Sequence, residues 1–288
     1  MTYSSVVSRD SVRICLLYAA LNNLDVSSAD IQNAYLSAPP REKRYTIAGA
    51  EFGSEKDEIM LVVRALYGLR SSGAAFRQYL ADILTELDFI SCRGDPDVWR
   101  RSAVKPGTTE YYYEYLLVYV DDIICVSANP DIPMKQIKGQ GVKYKNDTYK
   151  SPDTFLGSQL SFKAQINTPP CWHMSSNKYI NEAIKSLEAT LVTKYPNQKA
   201  GDPMRLSTKV TVPIHKSYKA ELDTSPSLND DDTRWYQELI GILRWAVELG
   251  RVDIHYEVSL LSTHLAAPRM GHLHQVIHIF SYLKKTQN

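Results

Sequence analysis

Cysteines and long hydrophobic runs are both scarce in this chain of 288 residues. The four cysteines, Cys15, Cys92, Cys125 and Cys171, are scattered and form no C-x-x-C pair, which argues against a disulfide framework and against a cysteine-based zinc site. The longest apolar stretch near the N-terminus covers 14–21 and is too short to span a bilayer. We therefore expect an intracellular protein with reduced thiols and no membrane partner.

The sequence also lacks an excess of charge of either sign. Lys and Arg number 33 against 32 Asp and Glu, which gives a net charge of +1, and 44% of the residues are apolar. This composition is that of an ordinary globular protein and excludes disorder over most of the chain. The net charge alone does not indicate a nucleic-acid partner. The length suits one large domain or two modest ones.

Apolar residues at helical spacing predict five helices. The first is expected to be capped by Asp10 or Ser11. Another opens at Ser71 and Ser72 and carries an apolar face made of Phe76, Leu80, Ile83, Leu84 and Leu87. The others are expected at 177–191, after a cap at 230–233, and at 272–283, with a polar connector over 196–232.

Runs rich in β-branched and aromatic residues predict strands at 25–30, 59–63, 111–118 and 123–126. Only the four residues 119–122 separate the last two runs, so these runs predict a hairpin. The flat surface of that hairpin is the expected partner of the helix that begins at Ser71.

Two adjacent aspartates, Asp121 and Asp122, interrupt this otherwise apolar hairpin. Two unpaired carboxylates about 4 Å apart repel by about 4 kcal/mol at an effective dielectric constant of about 20. One interpretation is a solvent-exposed turn, where aspartate is common. The other is a metal site, because Asp30 ends another predicted strand and three carboxylates are hard ligands suited to Mg²⁺ or Mn²⁺. Such a site can hold two metals for phosphoryl transfer.

Several motifs, in order and spacing, resemble the reverse transcriptase of copia-type LTR retrotransposons. The three that carry the resemblance are DIQNAY at 30–35, RALYGL at 64–69 and YVDD at 119–122. FLG at 155–157 resembles the primer-contacting turn of that family, and YQELIG at 236–241 with RVDI at 251–254 resembles its tail before the RNase H region. The resemblance covers nearly the whole chain.

The resemblance implies an α+β fold with a right-hand polymerase palm, in which a ferredoxin-like split βαβ sheet carries the YVDD hairpin, followed by a helical thumb or connection region. Partial fingers and palm are expected over 1–165, a thumb-like helix and polar connector over 166–232, and a helical tail over 233–288. We also expect an N-terminal truncation, because family members carry a further fingers segment, and an end before the RNase H region.

The resemblance also implies the site. Two Mg²⁺ ions, or Mn²⁺, are expected on Asp30, Asp121, Asp122 and the backbone carbonyl of Ile31. Residues expected to bind the incoming deoxynucleoside triphosphate are Ile31, Gln32, Asn33, Ala34, Tyr35, Tyr67 and Gly68. Residues expected to contact the primer are Tyr119, Val120, Phe155, Leu156 and Gly157. The implied partners are an RNA or DNA template–primer and the RNase H and integrase parts of a polyprotein, in a cytoplasmic virus-like particle or the nucleus.

Tyr35 matches the position whose ring lies under the sugar and excludes a 2′-hydroxyl; the alternative is a core aromatic residue. Gly73 stands where many relatives have proline. The leading hypothesis is RNA-directed DNA polymerase activity, with two metals assisting attack by a primer 3′-hydroxyl. The alternatives are a catalytically inactive nucleic-acid-binding remnant and a two-metal nuclease.

Two further groups of residues leave alternatives open. A basic stretch interleaved with Tyr144 and Tyr149 could follow a phosphate backbone or form a solvated loop; its lysines are Lys135, Lys138, Lys143, Lys145 and Lys150. Four histidines near the C-terminus suggest a metal site, but zinc is disfavoured because no cysteine or carboxylate nearby completes a tetrahedral set; they are His264, His272, His274 and His278.

Overall fold

The computed structural model describes residues 4–165, 168–197 and 199–286. The chain divides into two compact units. Unit 1 comprises Met1–Pro152 and Phe162–Trp172, and unit 2 comprises Asp153–Ser161 and His173–Asn288. Both helices and antiparallel sheets are present, so the expected α+β class is confirmed. The three-part division expected from the sequence stays a prediction.

Unit 1 is built around one antiparallel sheet. Its strands lie in the order β1-β7-β6-β5-β4, and β2 and β3 form a separate two-stranded sheet. The helices are α1 (Arg9–Leu21), α2 (Ala34–Ser37), α3 (Ser72–Glu86) and α4 (Asp131–Gly139). The strands are β1 (Asp25–Asp30), β2 (Tyr45–Ile47), β3 (Ile59–Leu61), β4 (Ile90–Ser91), β5 (Val98–Val104), β6 (Tyr111–Tyr119) and β7 (Asp122–Ser127).

The core of unit 1 forms where α3 packs on this sheet. Phe76, Leu80 and Leu84 of the predicted apolar face are buried, together with Leu116 and Ile123 from the sheet. Side chains of this size each contribute about 1.5–3 kcal/mol when they are fully buried. The helix thus packs against the strand pair β6–β7 and fixes its position. The hairpin turn that connects these two strands lies at the end of the sheet.

A charged network is also buried in unit 1. Glu114 of β6 accepts hydrogen bonds from Nε and Nη2 of Arg101 at 3.0 and 2.7 Å, and from the Ser127 hydroxyl at 2.7 Å. Asp97 is 2% exposed and accepts a hydrogen bond from Nε of Arg77 at 2.8 Å. Each buried carboxylate thus has a guanidinium partner, which is the condition for burying such a charge without a large penalty.

Three strands follow unit 1's α4 along the chain and form a sheet in the order β10-β9-β8. They are β8 (Thr154–Phe155), β9 (Ser158–Gln165) and β10 (Thr168–Ser175). The helices of unit 2 are α5 (Asn177–Lys194), α6 (Asp230–Glu248), α7 (His255–Ser262) and α8 (Met270–Lys285), which surround an apolar core. In the described part of the chain, no helix combines the length and the apolar character that a transmembrane segment needs.

The polar connector over 196–232 is attached to α8 by side chains spaced three residues apart along that helix. Four side chains of α8 contact its backbone: Ser281 accepts from Ser207 N at 3.1 Å, His278 contacts the Val212 carbonyl at 3.1 Å, Gln275 accepts from His215 N at 3.3 Å, and His272 contacts the Ala220 carbonyl at 3.1 Å. Positions three apart are neighbours on the surface of a helix. The histidines that suggested a metal site are thus partly used to hold this connector.

The helix starts differ from the prediction. Ser8, not Asp10 or Ser11, caps α1, because its hydroxyl accepts a hydrogen bond from Ser11 N at 3.1 Å. Asn229 caps α6 in the same way, with its side-chain oxygen accepting from Asp232 N at 2.8 Å. In both cases the acidic residues lie in the first turn of the helix, after the cap, where they interact favourably with the helix dipole.

Candidate active site

The three aspartates singled out from the sequence lie at one end of the unit 1 sheet. Asp30 ends β1 and pairs with Asp122, the first residue of β7. Asp122 also pairs with Tyr119 across the β6–β7 hairpin. The Ile31 N–H donates to the Asp121 carbonyl at 2.7 Å, which ties the end of β1 to the turn. Cα atoms that pair directly across antiparallel strands are about 4.5–5.5 Å apart, so the register brings Asp30 next to the Asp121–Asp122 pair.

The hairpin turn itself is strained. Only Val120 and Asp121 lie between the two strands, and Val120 has a φ of 55°. This left-handed conformation is rare for a β-branched residue, and such strain is found preferentially at functional sites. The expectation from sequence covered the turn but not this conformation, because valine is not a residue that favours it.

The carboxylates at this end of the sheet repel one another. The pKa of Asp122 is raised to about 6, first by burial and then by the negative charges of Asp121 and Asp30, while Lys145 acts in the opposite direction. The cost of ionising Asp122 is thus an intrinsic property of the site. A cation that neutralises the cluster would remove it.

Lys145 supplies one such cation. Its ammonium Nζ lies 3.3 Å from Oδ2 of Asp30. It reaches that position because Tyr144 forms an antiparallel bridge with Ile31, and the Gln32 N–H donates to the Lys143 carbonyl at 2.8 Å. The contact was not predicted, since Lys145 was grouped with the basic stretch and nothing local indicates its long-range pairing.

The rest of the basic stretch does not form an alternating aromatic and basic surface. Tyr144 is 1% exposed and donates to the Met134 carbonyl at 3.0 Å, so it cannot stack on a base. Lys138 pairs with Asp147 at 2.7 Å. Lys143 is exposed. Of the two interpretations left open, binding of this stretch to a phosphate backbone would therefore depend on its lysines alone.

The donor atoms for a hard divalent cation are present but do not surround a common point. Among residues 4–165, 168–197 and 199–286, no three acidic, histidine or cysteine side chains already surround a common point. The chemistry of the set nevertheless fits Mg²⁺, because the carboxylates of Asp30, Asp121 and Asp122 are hard oxygen ligands and are mutually repulsive in its absence. The contact of Asp30 with Lys145 uses Oδ2 alone, and a carboxylate has a second oxygen that can bind an ion.

The residues expected to bind a nucleotide form the segment that follows β1. Ile31 and Ala34 are buried, whereas Gln32 and Asn33 are exposed. Asn33 is in the left-handed conformation, with φ 53° and ψ 43°, and precedes the short helix α2. Tyr35, the first residue after Ala34, is half-buried at the edge of the core.

The RALYGL segment comes to the same place from a distant part of the sequence. The rings of Tyr67 and Tyr35 are stacked, with centroids 4.7 Å apart and planes at 28°. Gly68 has a φ of 94°, which explains the glycine because side chains disfavour that conformation. A cleft beside this turn is lined by Glu42, Arg44, Gly68, Leu69, Arg70 and Ser71. Tyr35, Tyr67 and Gly68 are thus brought together as a group.

The expected primer-contacting turn lies in unit 2. Phe155 is buried, and Leu156 and Gly157 connect β8 to β9 with φ values of 50° and 82°. Two successive residues with positive φ are typical of a type I′ hairpin turn. A side chain at Gly157 would lie 3.2 Å from Nε1 of Trp245, so both the backbone conformation and the available space favour glycine. Tyr119 and Val120, the other expected primer contacts, are half-buried at the hairpin of unit 1.

Comparison with known proteins gives a consistent result. The family model described as reverse transcriptase (RNA-dependent DNA polymerase) matches residues 1–198. The chain is 25% identical over 290 residues to the retrovirus-related Pol polyprotein from transposon RE1 of Arabidopsis thaliana, covering 100% of this chain and 18% of the polyprotein. It is 27% identical over 264 residues to the putative transposon Ty5-1 protein of Saccharomyces cerevisiae, covering 90% of this chain and 76% of that protein.

A third relative is the retrovirus-related Pol polyprotein from transposon TNT 1-94 of Nicotiana tabacum, 25% identical over 294 residues. The match covers 99% of this chain and 20% of that polyprotein. The chain therefore spans about a fifth of the two plant polyproteins and about three quarters of the yeast protein. The family match covers well over half of the chain. The chain belongs to the reverse transcriptase (RNA-dependent DNA polymerase) family, as a reverse transcriptase of the copia type of LTR retrotransposon.

Proposed function

We propose that the chain is an RNA-directed DNA polymerase that transfers deoxynucleotides to a primer 3′-hydroxyl at the β1–β7 end of the unit 1 sheet. The observation that carries the proposal is the register that pairs Asp30 with Asp122 and ties Asp121 to Ile31. The α3 helix and the sheet of unit 1 then correspond to a polymerase palm with a YVDD hairpin, and the helices of unit 2 to a thumb and connection region.

The residues that would hold two Mg²⁺ ions, or Mn²⁺, are Asp30, Asp121, Asp122 and the carbonyl of Ile31. When bound, such ions activate the primer hydroxyl and neutralise the triphosphate and the leaving pyrophosphate. The proposal needs no side-chain nucleophile. The half-buried position of Asp122 supports it, because a carboxylate whose ionisation is opposed by its neighbours gains the most from a bound cation.

The remaining site residues would position the substrates. Ile31, Gln32, Asn33 and Ala34 form the backbone that leads from β1 into the nucleotide site, and Tyr35 and Tyr67 form its aromatic wall next to Gly68. In unit 1, Tyr119 and Val120 at the hairpin would contact the primer. In unit 2, the turn made by Phe155, Leu156 and Gly157 is proposed separately as a primer contact. Holding the primer hydroxyl and the nucleotide in reach of each other is itself a large part of the catalytic effect.

The partners proposed are those that the reaction needs. They are an RNA or DNA template–primer, deoxynucleoside triphosphates, and the RNase H and integrase parts of a polyprotein, in a virus-like particle or the nucleus. Two of the relatives carry the words Pol polyprotein in their names, which supports a polyprotein context for this chain.

One observation favours a second candidate function, an inactive nucleic-acid-binding remnant. Asp30 is paired with Lys145 and the described residues hold no gathered set of three ligands, as would be expected if the metal site had been lost. A two-metal nuclease is less well supported, because it gives the stacked Tyr35 and Tyr67 no role.

Primer extension by the full chain on an RNA template tests the proposal. With Mg²⁺ and deoxynucleotides we expect extension by the wild-type chain and its loss in Asp121→Asn, since an amide is a poorer ligand and removes a charge. Asp131→Asn, which neutralises an exposed aspartate at the start of α4, is the matched control and should extend normally. Template binding without extension would favour the remnant, and release of labelled nucleotides from a duplex would favour the nuclease.

A further inference from the structure

Three aromatic side chains of unit 1 form a row that runs from the core to the surface, and each ring contacts the next. Phe76 of α3 is 2% exposed, and its ring centroid is 6.2 Å from that of Tyr35. The Tyr35 ring is in turn stacked on Tyr67, which is 60% exposed. Tyr35 therefore contacts one buried ring and one exposed ring.

The hydroxyl of Tyr35 does not fix the orientation of its ring. Among the described residues, no protein group forms a hydrogen bond with that hydroxyl. Near it lies the backbone of Gly73, where an added Cβ would be 3.5 Å from the Tyr35 oxygen. The ring is therefore held by packing at the edge of the core, which includes its contacts with Phe76 and Tyr67.

The exposed ring is held in place by its backbone. The Ala65 N–H donates to the Ala38 carbonyl at 3.0 Å, just after the helix that carries Tyr35. The Ser72 hydroxyl donates to the Leu66 carbonyl at 2.6 Å. These two bonds anchor the residues directly before Tyr67 to both α2 and α3. The Tyr67 ring is therefore placed over Tyr35 by the fold, even though it buries little surface there.

We propose that Tyr67 is a positioning residue for Tyr35, which holds the Tyr35 ring at the height needed to exclude a 2′-hydroxyl. The inference rests on the proposed function, in which Tyr35 lies under the incoming sugar. The positioning of Tyr35 depends on the Tyr67 ring and not on the Tyr67 hydroxyl, because the contact is between ring faces. Discrimination between deoxy- and ribonucleotides would then depend on two residues that are 32 positions apart in the sequence.

The first test measures the ratio of deoxy- to ribonucleotide incorporation in primer extension. Tyr67→Ala should lower the preference for deoxynucleotides by about threefold to tenfold, the range set by the strength of one aromatic pair. Tyr67→Phe should keep the wild-type ratio, and Tyr35→Ala should lower it further. Tyr111→Ala is the matched control, because Tyr111 is 78% exposed and lies at the other end of β6, about 26 Å from the hairpin turn.

The second test does not require activity. In full-length chain labelled with 3-fluorotyrosine, the ¹⁹F signal that disappears in Tyr35→Phe belongs to position 35. That signal should shift in Tyr67→Ala, because the neighbouring ring current is lost, and should stay close to its wild-type position in Tyr67→Phe and Tyr111→Ala. An unchanged signal in Tyr67→Ala, or an unchanged incorporation ratio in an active chain, would overturn the positioning role. A shifted signal in a chain that extends no primer would leave the ring contact standing and refute the polymerase proposal instead.

Discussion

The two units differ in whether they bury charged carboxylates. Among its described residues, unit 1 buries two carboxylates, Asp97 and Glu114, each beside an arginine, in addition to neutral serines. Among the described residues of unit 2, the buried polar side chains are all neutral types or histidine, namely Ser158, Ser176, His272, Gln275 and Ser281. In the described part of the chain, buried carboxylate–guanidinium pairs are thus found in unit 1, and three of the buried polar side chains of unit 2 bind the connector backbone.

The candidate active site differs from the interior of its own unit in how its carboxylates are paired. Inside unit 1, Glu114 and Asp97 have guanidinium partners within 2.8 Å. At the end of the same sheet, three carboxylates share one lysine, whose ammonium is 3.3 Å from Asp30. Because the pairing rule is kept in the interior and broken at the sheet end, the unbalanced negative charge points to a cation that the site acquires from solution.

The largest expected effect comes from removing a charge partner in unit 1. Arg101→Met should destabilise unit 1 by about 3–5 kcal/mol, because it leaves the Glu114 carboxylate buried and unpaired. Its counterpart in unit 2, Gln275→Leu, should cost about 1–2 kcal/mol, since it leaves only a neutral N–H without its acceptor. Urea unfolding followed by ¹⁹F NMR of 5-fluorotryptophan reports each unit separately, because Trp99 and Trp172 belong to unit 1 and Trp235 and Trp245 to unit 2. Equal losses would contradict the distinction between charged and neutral interiors.

A smaller effect of opposite sign is expected at the active site. Without metal at pH 7.5, Asp122→Asn should stabilise unit 1 by about 1 kcal/mol, a value reduced for the partial exposure of this group. The pKa of Asp122 is raised to about 6, so its contribution to stability is fully present below pH 3.8, its ordinary value, and is lost as the pH rises through about 6. The gain should therefore vanish near pH 4. The same ¹⁹F signals measure it, and destabilisation by the variant at pH 7.5 would show that the repulsion is absent.

The smallest expected effect is the pH dependence of the stability of unit 2. Its direction should be opposite to that of Asp122, so that stability is lost as the pH falls. Burial lowers the pKa of His264 and His278 below the ordinary value of 6.5, and the neighbouring His272 and His215 act in the same direction. A lowered histidine pKa contributes stability that is present above pH 6.5 and lost as the pH falls below it. Between pH 7 and pH 5 we therefore expect the urea concentration at the midpoint of unfolding to fall for the unit 2 signals. His278→Gln should reduce this slope, and an unchanged slope would exclude His278 as its source.

Elements with strong local patterns could be predicted from the sequence. The strand expected at 25–30 is observed as Asp25–Asp30, and the helix expected from Ser71 or Ser72 is observed as Ser72–Glu86. In contrast, β5 (Val98–Val104) was missed because Arg100 and Arg101 break its apolar pattern. Arg101 is tolerated there only because Glu114 lies on the next strand, which is a partner that local sequence does not reveal.

The candidate site shows the same limit. The motifs identified Asp30, Asp121, Asp122, Tyr35 and Tyr67 as candidates, and the resemblance supplied their roles. Neither the salt bridge of Lys145 to Asp30 nor the stacking of Tyr67 on Tyr35 could be predicted, because both depend on contacts between distant segments. The left-handed conformation of Val120 was not predicted either, since it is imposed by the two-residue turn between paired strands.

The most direct test of the account is a measurement of Mn²⁺ binding to the full chain by electron paramagnetic resonance, which detects the free ion. We predict saturable binding by the wild-type chain, competition by Mg²⁺, and a loss of at least about tenfold in affinity in Asp30→Asn, Asp121→Asn and Asp122→Asn, because each variant removes one charged oxygen ligand. Asp131→Asn should bind as the wild-type chain does. Equal affinity in all four variants, or no binding by the wild-type chain, would contradict the claim that the carboxylates at the end of the sheet form a metal site.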